Sequence, residues 1–212
     1  MELFETLFEV LMHLDRYMDL VIRDYGVWTY MILFLIIFCE TGLVVTPILP
    51  GDSLLFAIGS IAAMGSLDFQ LLLLLLTLAA ILGDTVNYGV GHFVGPKVFN
   101  TRSRFFKKEY MDRTRDFYDR YGGKTIILAR FIPIVRTFAP FVAGIGAMSY
   151  RRFIVYNVIG AIIWIGSFVS AGYYFGSLPA IKQNFSVVMI VIVVLSILLG
   201  ISGFIRSRKN AA

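Results

Sequence analysis

Long apolar segments alternate along the chain with short stretches of charged residues. The apolar segments cover about residues 27–50, 53–64, 69–95, 125–148, 153–175 and 186–204. A helix that crosses a membrane needs roughly 20 apolar residues, so the segment 53–64 is too short to cross alone. In residues 1–26, apolar side chains recur at helical spacing between charged ones, which predicts an amphipathic helix at the membrane interface. The pattern as a whole predicts an all-α polytopic membrane protein.

Helix-breaking residues interrupt this pattern in two places. They are Pro47, Pro50 and Gly51 at the first place and Pro133 and Pro140 at the second. Proline removes a helical hydrogen bond, and lipid tolerates a broken helix only where protein or water covers the backbone. We therefore expect two re-entrant hairpins, at 27–64 and 125–148, each of which enters the membrane and returns to the same side.

The charge distribution orients these segments. The chain is 58% hydrophobic and 16% charged, with a mean hydropathy of +0.79, which excludes a soluble globular domain. The segment 96–124 holds nine basic residues against four acidic ones, and the C-terminal tail is also basic. Cytoplasmic loops are enriched in Lys and Arg, so both regions are expected in the cytoplasm. A re-entrant 125–148 also places Arg151 and Arg152 there, whereas a crossing 125–148 would put that pair and the tail outside.

A faint internal repeat divides the chain into two units. Asp24-Tyr25-Gly26 precedes the first hairpin as Arg120-Tyr121-Gly122 precedes the second, and Glu40-Thr41 then falls where Arg136-Thr137 falls. With one crossing in each unit, the second unit must be inverted, which is an architecture of transporters. The first unit, 1–95, comprises an amphipathic helix at 1–26, the hairpin 27–64 and a transmembrane helix at 69–95. The second, 96–176, comprises an amphipathic helix at 100–122, the hairpin 125–148 and a transmembrane helix at 153–175, and a C-terminal transmembrane helix follows at 186–204. The acidic residues of 1–26 permit an external N-terminus but orient it only weakly.

Four ionisable residues flank the two breaks. Glu40 and Asp52 flank the first, and Arg130 and Arg136 flank the second. One interpretation is structural, with salt bridges or helix caps at the broken ends. In the other, the arginines bind an anionic lipid head group, because guanidinium matches phosphate oxygens bidentately. Glu40 and Asp52 would then take up and release protons and couple transport to the proton gradient.

Asp84 is a further candidate, within the segment 69–95. It is either a third proton-coupling carboxylate or a residue near the helix end that hydrogen-bonds to Asn87 or Tyr88. The single cysteine, Cys39, excludes an internal disulfide, and two distant histidines make a metal site improbable. No hydrolase, metalloprotease or nucleotide-binding motif occurs. We therefore expect no enzyme activity, no cofactor and no nucleic-acid partner, although arginines and carboxylates leave a lipid-phosphate hydrolase as an alternative.

Several motifs occur together between about residues 20 and 180. They are Glu40-Thr41-Gly42, Pro47 with Pro50-Gly51-Asp52-Ser53, Gly83-Asp84 with Tyr88, Arg130-Phe131-x-Pro133-x-x-Arg136-Thr137-x-x-Pro140, and Ala143-Gly144. Together they resemble the DedA family of membrane proteins, also called the VTT or SNARE-associated domain family. The stretches 38–56 and 122–144 look most like the founding member of that family. His92, which follows Gly91, departs from the Arg that relatives often carry.

The resemblance implies opposed re-entrant hairpins and lipid flipping or scrambling in the bacterial inner membrane. It also implies that the family's essential acidic and basic residues fall here on Glu40, Asp52, Arg130 and Arg136. We therefore expect a multi-pass inner-membrane transporter of a phosphate-bearing lipid, undecaprenyl phosphate or a phospholipid, coupled to the proton motive force, with its C-terminus in the cytoplasm. Membrane lipids with anionic head groups are the expected partners, and small residues on the helix faces allow a homodimer. The alternatives are a proton-coupled transporter of ions or small molecules and a membrane assembly factor that transports nothing.

Overall fold

The structure of the protein is a computed structural model. It describes residues 24–43, 51–100 and 123–176, apart from the side chains of 95–100, 133–134 and 146–147, together with scattered positions between 178 and 198. In this part of the chain the secondary structure is helical and contains no strand, as the all-α prediction requires. The helices are α1 (Trp28–Gly42), α2 (Gly51–Ala63), α3 (Phe69–Asn100), α4 (Lys124–Ala129), α5 (Pro133–Val142) and α6 (Tyr150–Phe175), with a π-helical turn at Ala143–Ala147 after α5.

Some predicted elements lie outside the described residues. These are nearly all of the amphipathic helix 1–26, the amphipathic helix 100–122 apart from Asn100, the prolines Pro47 and Pro50, and most of the C-terminal helix 186–204.

Two of the helices are long and apolar enough to cross a membrane. Phe69–Val94 in α3 and Tyr150–Phe175 each have 26 residues and a mean hydropathy of 2.0 and 1.9, respectively. At 1.5 Å per residue each is about 39 Å long, which exceeds the ~30 Å hydrocarbon core of a bilayer. Large apolar side chains cover their outer faces, among them Leu74, Leu82, Val155 and Ile162, which are between 47% and 60% exposed. A surface of this kind suits contact with lipid.

Breaks in the backbone separate the four shorter helices. Leu43 is extended, with ψ 120°, where α1 ends, and α2 begins at Gly51. Between α4 and α5, Ile132 is extended, with φ −120° and ψ 106°. A residue that precedes a proline is disfavoured in the helical conformation, whereas proline is well accommodated in the first turn. Local sequence therefore ends α4 and starts α5 at Pro133.

The short helices pack against the two long ones in a crossed arrangement. In each half of the chain the first short helix packs on its own long helix, α1 on α3 and α4 on α6, whereas the second packs on the long helix of the other half, α2 on α6 and α5 on α3. Glycine makes the crossed contacts close: a Cβ atom at Gly59 would overlap the carbonyl of Val169, and one at Gly144 would overlap that of Tyr88. In lipid, where hydrophobic attraction between helices is weak, small residues at helix interfaces allow the backbones to approach closely.

Candidate functional site

Among the described residues, five acidic and basic side chains lie buried together around the helix breaks. They are Glu40, Asp52, Asp84, Arg130 and Arg136, and none is more than 6% exposed. Glu40 lies in the last turn of α1, Asp52 in the first turn of α2 and Arg136 in the first turn of α5. Arg130 directly follows α4, and Asp84 lies on α3. We call this set the charge centre.

Arg136 lies between two carboxylates in the first half of the charge centre. Its Nη2 donates a hydrogen bond to Glu40 Oε1, and its Nη1 donates to Asp52 Oδ1 at 3.2 Å. The backbone N–H of Gly51 donates to the same Glu40 oxygen at 3.1 Å. A Cβ atom at Gly51 would overlap the Glu40 carboxylate, so this position must be glycine for the carboxylate to approach the backbone. Two acids from the first break thus share one guanidinium from the second.

Arg130 forms the second half with a carboxylate and an amide. Its Nη2 donates to Asp84 Oδ2 and to Asn157 Oδ1, both at 2.5 Å. Asn157 in turn donates through Nδ2 to the carbonyl of Ile81 at 3.1 Å, which fixes the orientation of its amide. Gly160 on α6 leaves room for the arginine, because a Cβ atom there would lie 3.0 Å from Arg130 Cδ.

Trp164 on α6 joins the two halves. Its ring centroid lies 4.6 Å from Cζ of Arg136 and 5.8 Å from Cζ of Arg130, so both guanidinium groups make cation–π contacts with the same ring. Its Nε1 donates to Asp52 Oδ1 at 2.9 Å. Trp164 is fully buried, and it contacts three members of the charge centre, Arg130, Arg136 and Asp52.

The charges of the centre do not cancel. Three carboxylates and two guanidinium groups sum to one negative charge when all five are ionised. Within the described part of the chain, several buried polar atoms of the centre make no hydrogen bond: Glu40 Oε2, Asp84 Oδ1, Arg130 Nε and Nη1, and Arg136 Nε. Buried polar atoms without partners cost about 1–3 kcal/mol each. The centre therefore combines an excess carboxylate with arginine donors that are still available.

The structure brings together most of the residues that the sequence singled out. Glu40, Asp52, Arg130 and Arg136 converge, and Asp84 pairs with Arg130 rather than with Asn87 or Tyr88, the two partners that the sequence offered. Of the predicted helix breaks, Gly51 begins α2 and Pro133 begins α5, and Pro140 lies inside α5. Pro47 and Pro50 lie outside the described residues. Among the described residues, no group of three or more His, Cys, Asp or Glu side chains could hold a metal ion.

Three neighbours of the charge centre were not predicted from the sequence in the positions they occupy; of these, Asn87 was predicted only as a possible partner of Asp84. Trp164, Asn157 and Asn87 are each fully buried, and each hydrogen-bonds to the charge centre or to the backbone beside it. A signal was present, because all three are polar or amphipathic residues inside strongly apolar segments, where side-chain hydrogen bonds between helices are common. Their partners, however, are far away in the chain, so only the fold reveals what they contact.

Comparison with known proteins gives consistent matches along the chain. The family model of the VTT domain matches residues 49–174. The chain is 51% identical to Protein DedA of Escherichia coli strain K12 over 215 residues, covering 100% of this chain and 98% of that protein. It is 40% identical to an uncharacterized membrane protein of Mycobacterium tuberculosis strain H37Rv, covering 84% of this chain and 81% of the relative. It is 33% identical to Inner membrane protein YghB of Escherichia coli strain K12, covering 83% and 81%. No solved structure gives a significant match.

Proposed function

The chain belongs to the DedA family of membrane proteins, which carry a VTT domain, and from this premise we propose that it moves a phosphate-bearing lipid across the inner membrane. The lipid is undecaprenyl phosphate or a phospholipid, and the proton motive force drives or regulates its movement. The observation that carries the proposal is the position of Arg136, buried between Glu40 and Asp52 where two broken helices meet. Charged residues inside membrane segments are costly, about 2.5–3.5 kcal/mol each on insertion scales, and typically mark substrate or ion pathways.

The proposed topology has two inverted units whose re-entrant hairpins, 27–64 and 125–148, meet near the middle of the membrane. The crossed packing supports it, since the second short helix of each half packs on the long helix of the other. Glu40 and Arg136, which occupy matching positions in the sequence repeat, also contact each other. Binding at the interface of inverted repeats, beside broken helices, is the usual arrangement in secondary transporters. The basic segment 96–124 and the C-terminus lie in the cytoplasm in this topology.

In the proposed mechanism, a lipid phosphate replaces the carboxylates at the arginines. Arg136 Nη1 and Nη2 donate to Asp52 and Glu40 in the present arrangement. Phosphate oxygens offer the same bidentate geometry to a guanidinium group. The phosphate would therefore occupy the arginine while the acyl or prenyl chains remain in the lipid beside the protein.

Proton uptake makes that exchange electrically favourable. Protonation of Glu40 and Asp52 leaves two arginines against Asp84, a sum of one positive charge, where the ionised centre carries one negative charge. A singly ionised phosphate matches the protonated state and is repelled by the ionised state. Release of the lipid on the other side would accompany loss of the protons, which links lipid movement to the proton gradient.

Reconstitution into liposomes tests the proposal. Exchange of fluorescent undecaprenyl phosphate and of a fluorescent phospholipid between leaflets is measured with and without a pH gradient, for the wild type, Arg136→Ala and Arg151→Ala. We expect exchange that responds to the gradient in the wild type and in Arg151→Ala, whose arginine is exposed, and exchange at the protein-free rate in Arg136→Ala. The relative rates of the two lipids identify the substrate. Folded wild-type protein that moves neither lipid would refute lipid transport.

A second candidate function is proton-coupled transport of an ion or a small molecule. One observation favours it: each arginine is already paired with a carboxylate, Arg130 with Asp84 and Arg136 with Glu40. This pairing is expected if the arginines stabilise the fold and the carboxylates carry the protons. Proton flux into liposomes that persists after Arg136→Ala would support it.

An assembly role without transport predicts instead that cellular function survives replacement of both Glu40 and Asp52. Phosphate release from a lipid phosphate in detergent would reveal a hydrolase, whereas the proposed transporter releases none.

A further inference from the structure

Asn87 connects the two helix breaks through a single amide group. It lies on α3, and it is fully buried. Its Nδ2 donates hydrogen bonds to the carbonyl oxygen of Thr41 at 3.1 Å and to that of Thr137 at 2.8 Å. Both acceptors are backbone groups, one from each half of the chain, so a single side chain ties both hairpins to α3.

One of these carbonyls lies at the end of a helix, and the other lies next to an interruption of the helical hydrogen bonds. Thr41 is among the last residues of α1, whose final four carbonyl groups have no donor inside the helix. Thr137 lies in α5 next to Arg136, whose carbonyl has no helical donor because Pro140, four residues later, has no N–H. The Asn87 amide therefore bonds to the backbone at the end of α1 and next to the interruption in α5.

The same two residues follow the ion pair of the charge centre. Thr41 is the next residue after Glu40, and Thr137 is the next residue after Arg136. The two carbonyls that Asn87 holds are therefore one peptide unit away from the Glu40–Arg136 pair. Any separation of the two breaks must lengthen these hydrogen bonds and the ion pair together.

We propose that Asn87 is the positioning residue of the charge centre, which clamps the two helix breaks so that Glu40 stays paired with Arg136. Opening of the clamp is the step that exposes Arg136 to a lipid phosphate, and this part of the inference rests on the proposed function. An asparagine suits the role because its amide nitrogen carries two N–H donors for two acceptors. Aspartate has the same shape and no donor when ionised, and alanine has neither donor nor charge.

Trp164 reports on the clamp independently of transport. Its ring lies 4.6 Å from Cζ of Arg136, and its Nε1 donates to Asp52, so its fluorescence depends on the arrangement of the centre. The chain has 2 tryptophans, and Trp28 is 70% exposed, so a Trp28→Phe background leaves Trp164 as the sole emitter. Emission maximum and acrylamide quenching are measured in this background, in detergent-purified full-length protein that is monodisperse and helical by circular dichroism.

The comparison uses Asn87→Asp, Asn87→Ala and Tyr88→Phe. Tyr88 is a matched control, because its hydroxyl also joins α3 to a backbone carbonyl, that of Met148 at 2.8 Å, away from the charge centre. We expect a red shift and stronger quenching of Trp164 in both Asn87 variants, and wild-type spectra in Tyr88→Phe. Lipid exchange should fall about ten-fold or more in both Asn87 variants, because without the two Asn87 hydrogen bonds the breaks no longer return to the arrangement in which Glu40 pairs with Arg136, and release of the lipid requires that return.

Each contrary outcome overturns the inference in its own way. A change in Asn87→Ala alone would mean that the side chain only fills space, and a change in Asn87→Asp alone would mean that the new charge disturbs the centre. Equal changes in Tyr88→Phe would mean that any lost contact of α3 has the same effect. If the wild type moves no lipid, the proposed function fails, yet the Trp164 spectra still decide whether Asn87 holds the centre together.

Discussion

Replacement of Arg136 by Met should destabilise the protein by removing the guanidinium group that pairs with both Glu40 and Asp52. An ionised carboxylate can only accept hydrogen bonds, and both carboxylates accept one from Arg136. The distance from Arg136 Nη1 to Asp52 Oδ1 is 3.2 Å. Without this arginine, three carboxylates face one arginine, and the charge of the centre changes from one negative to two negative. Loss of one partner from a buried ion pair typically costs about 3–5 kcal/mol, because the remaining charge is buried without compensation.

The size of the effect can be followed by thermal unfolding in detergent. For chains of 150–250 residues, 1 kcal/mol corresponds to roughly 2–4 °C in Tm, so Arg136→Met should lower the apparent Tm by about 6–20 °C. Adding Glu40→Gln and Asp52→Asn to Arg136→Met should restore much of this loss, since the uncompensated charges are then gone. Arg151→Ala serves as the control, because its side chain is exposed and surface substitutions usually change stability by less than about 0.5 kcal/mol.

Two outcomes would refute this reasoning. An apparent Tm of Arg136→Met equal to that of Arg151→Ala would mean that the buried ion pairs contribute little net stability. A triple variant less stable than Arg136→Met would mean that the carboxylates stabilise the fold in ways other than through the arginine. Either result would contradict the view that Arg136 compensates two buried acids.

Two further substitutions probe the immediate neighbours of the charge centre. Gly51→Ala should abolish lipid exchange and lower the apparent Tm, because the added methyl group overlaps the Glu40 carboxylate. Gly89→Ala is the control and should behave as the wild type, because its new methyl group has no atom within 4 Å. Equal effects of the two substitutions in the exchange and melting assays would contradict this prediction. Trp164→Phe keeps an aromatic ring beside the arginines but removes the 2.9 Å hydrogen bond to Asp52, so unfolding should be easier by about 1–3 kcal/mol, and an unchanged melting curve would show that the bond is dispensable.

Much of the secondary structure could be predicted from local sequence. Proline and glycine act on the backbone within one helical turn, so the end of α4 before Pro133 and the start of α2 at Gly51 follow from the residues themselves. The two long apolar helices were also predictable, although α3 continues to Asn100 and α6 begins at Tyr150, beyond the predicted bounds of 95 and 153. Helix ends are less certain because their last turns depend on neighbouring contacts.

The candidate site was predictable in its residues but not in its pairs. An ionisable side chain in an apolar segment is conspicuous in the sequence, and Glu40, Asp52, Arg130 and Arg136 were identified for that reason. The division of these residues between two arginines was not predictable. Arg136 contacts Glu40, 96 positions away, and takes both acids of the first break, while Asp84 on α3 pairs with Arg130.

The sequence by itself determined that this is an all-α chain with long apolar helices, where its backbone breaks, and which of its buried residues are charged. These properties depend on hydropathy and on short-range backbone sterics, which each residue carries wherever the chain folds. Only the tertiary structure decided that α2 packs on α6, that Trp164 lies against both arginines, and that Asn87 joins the two breaks. Hydrogen bonds and ion pairs act over a few ångströms and depend on direction, so their partners are fixed only when packing brings distant segments together.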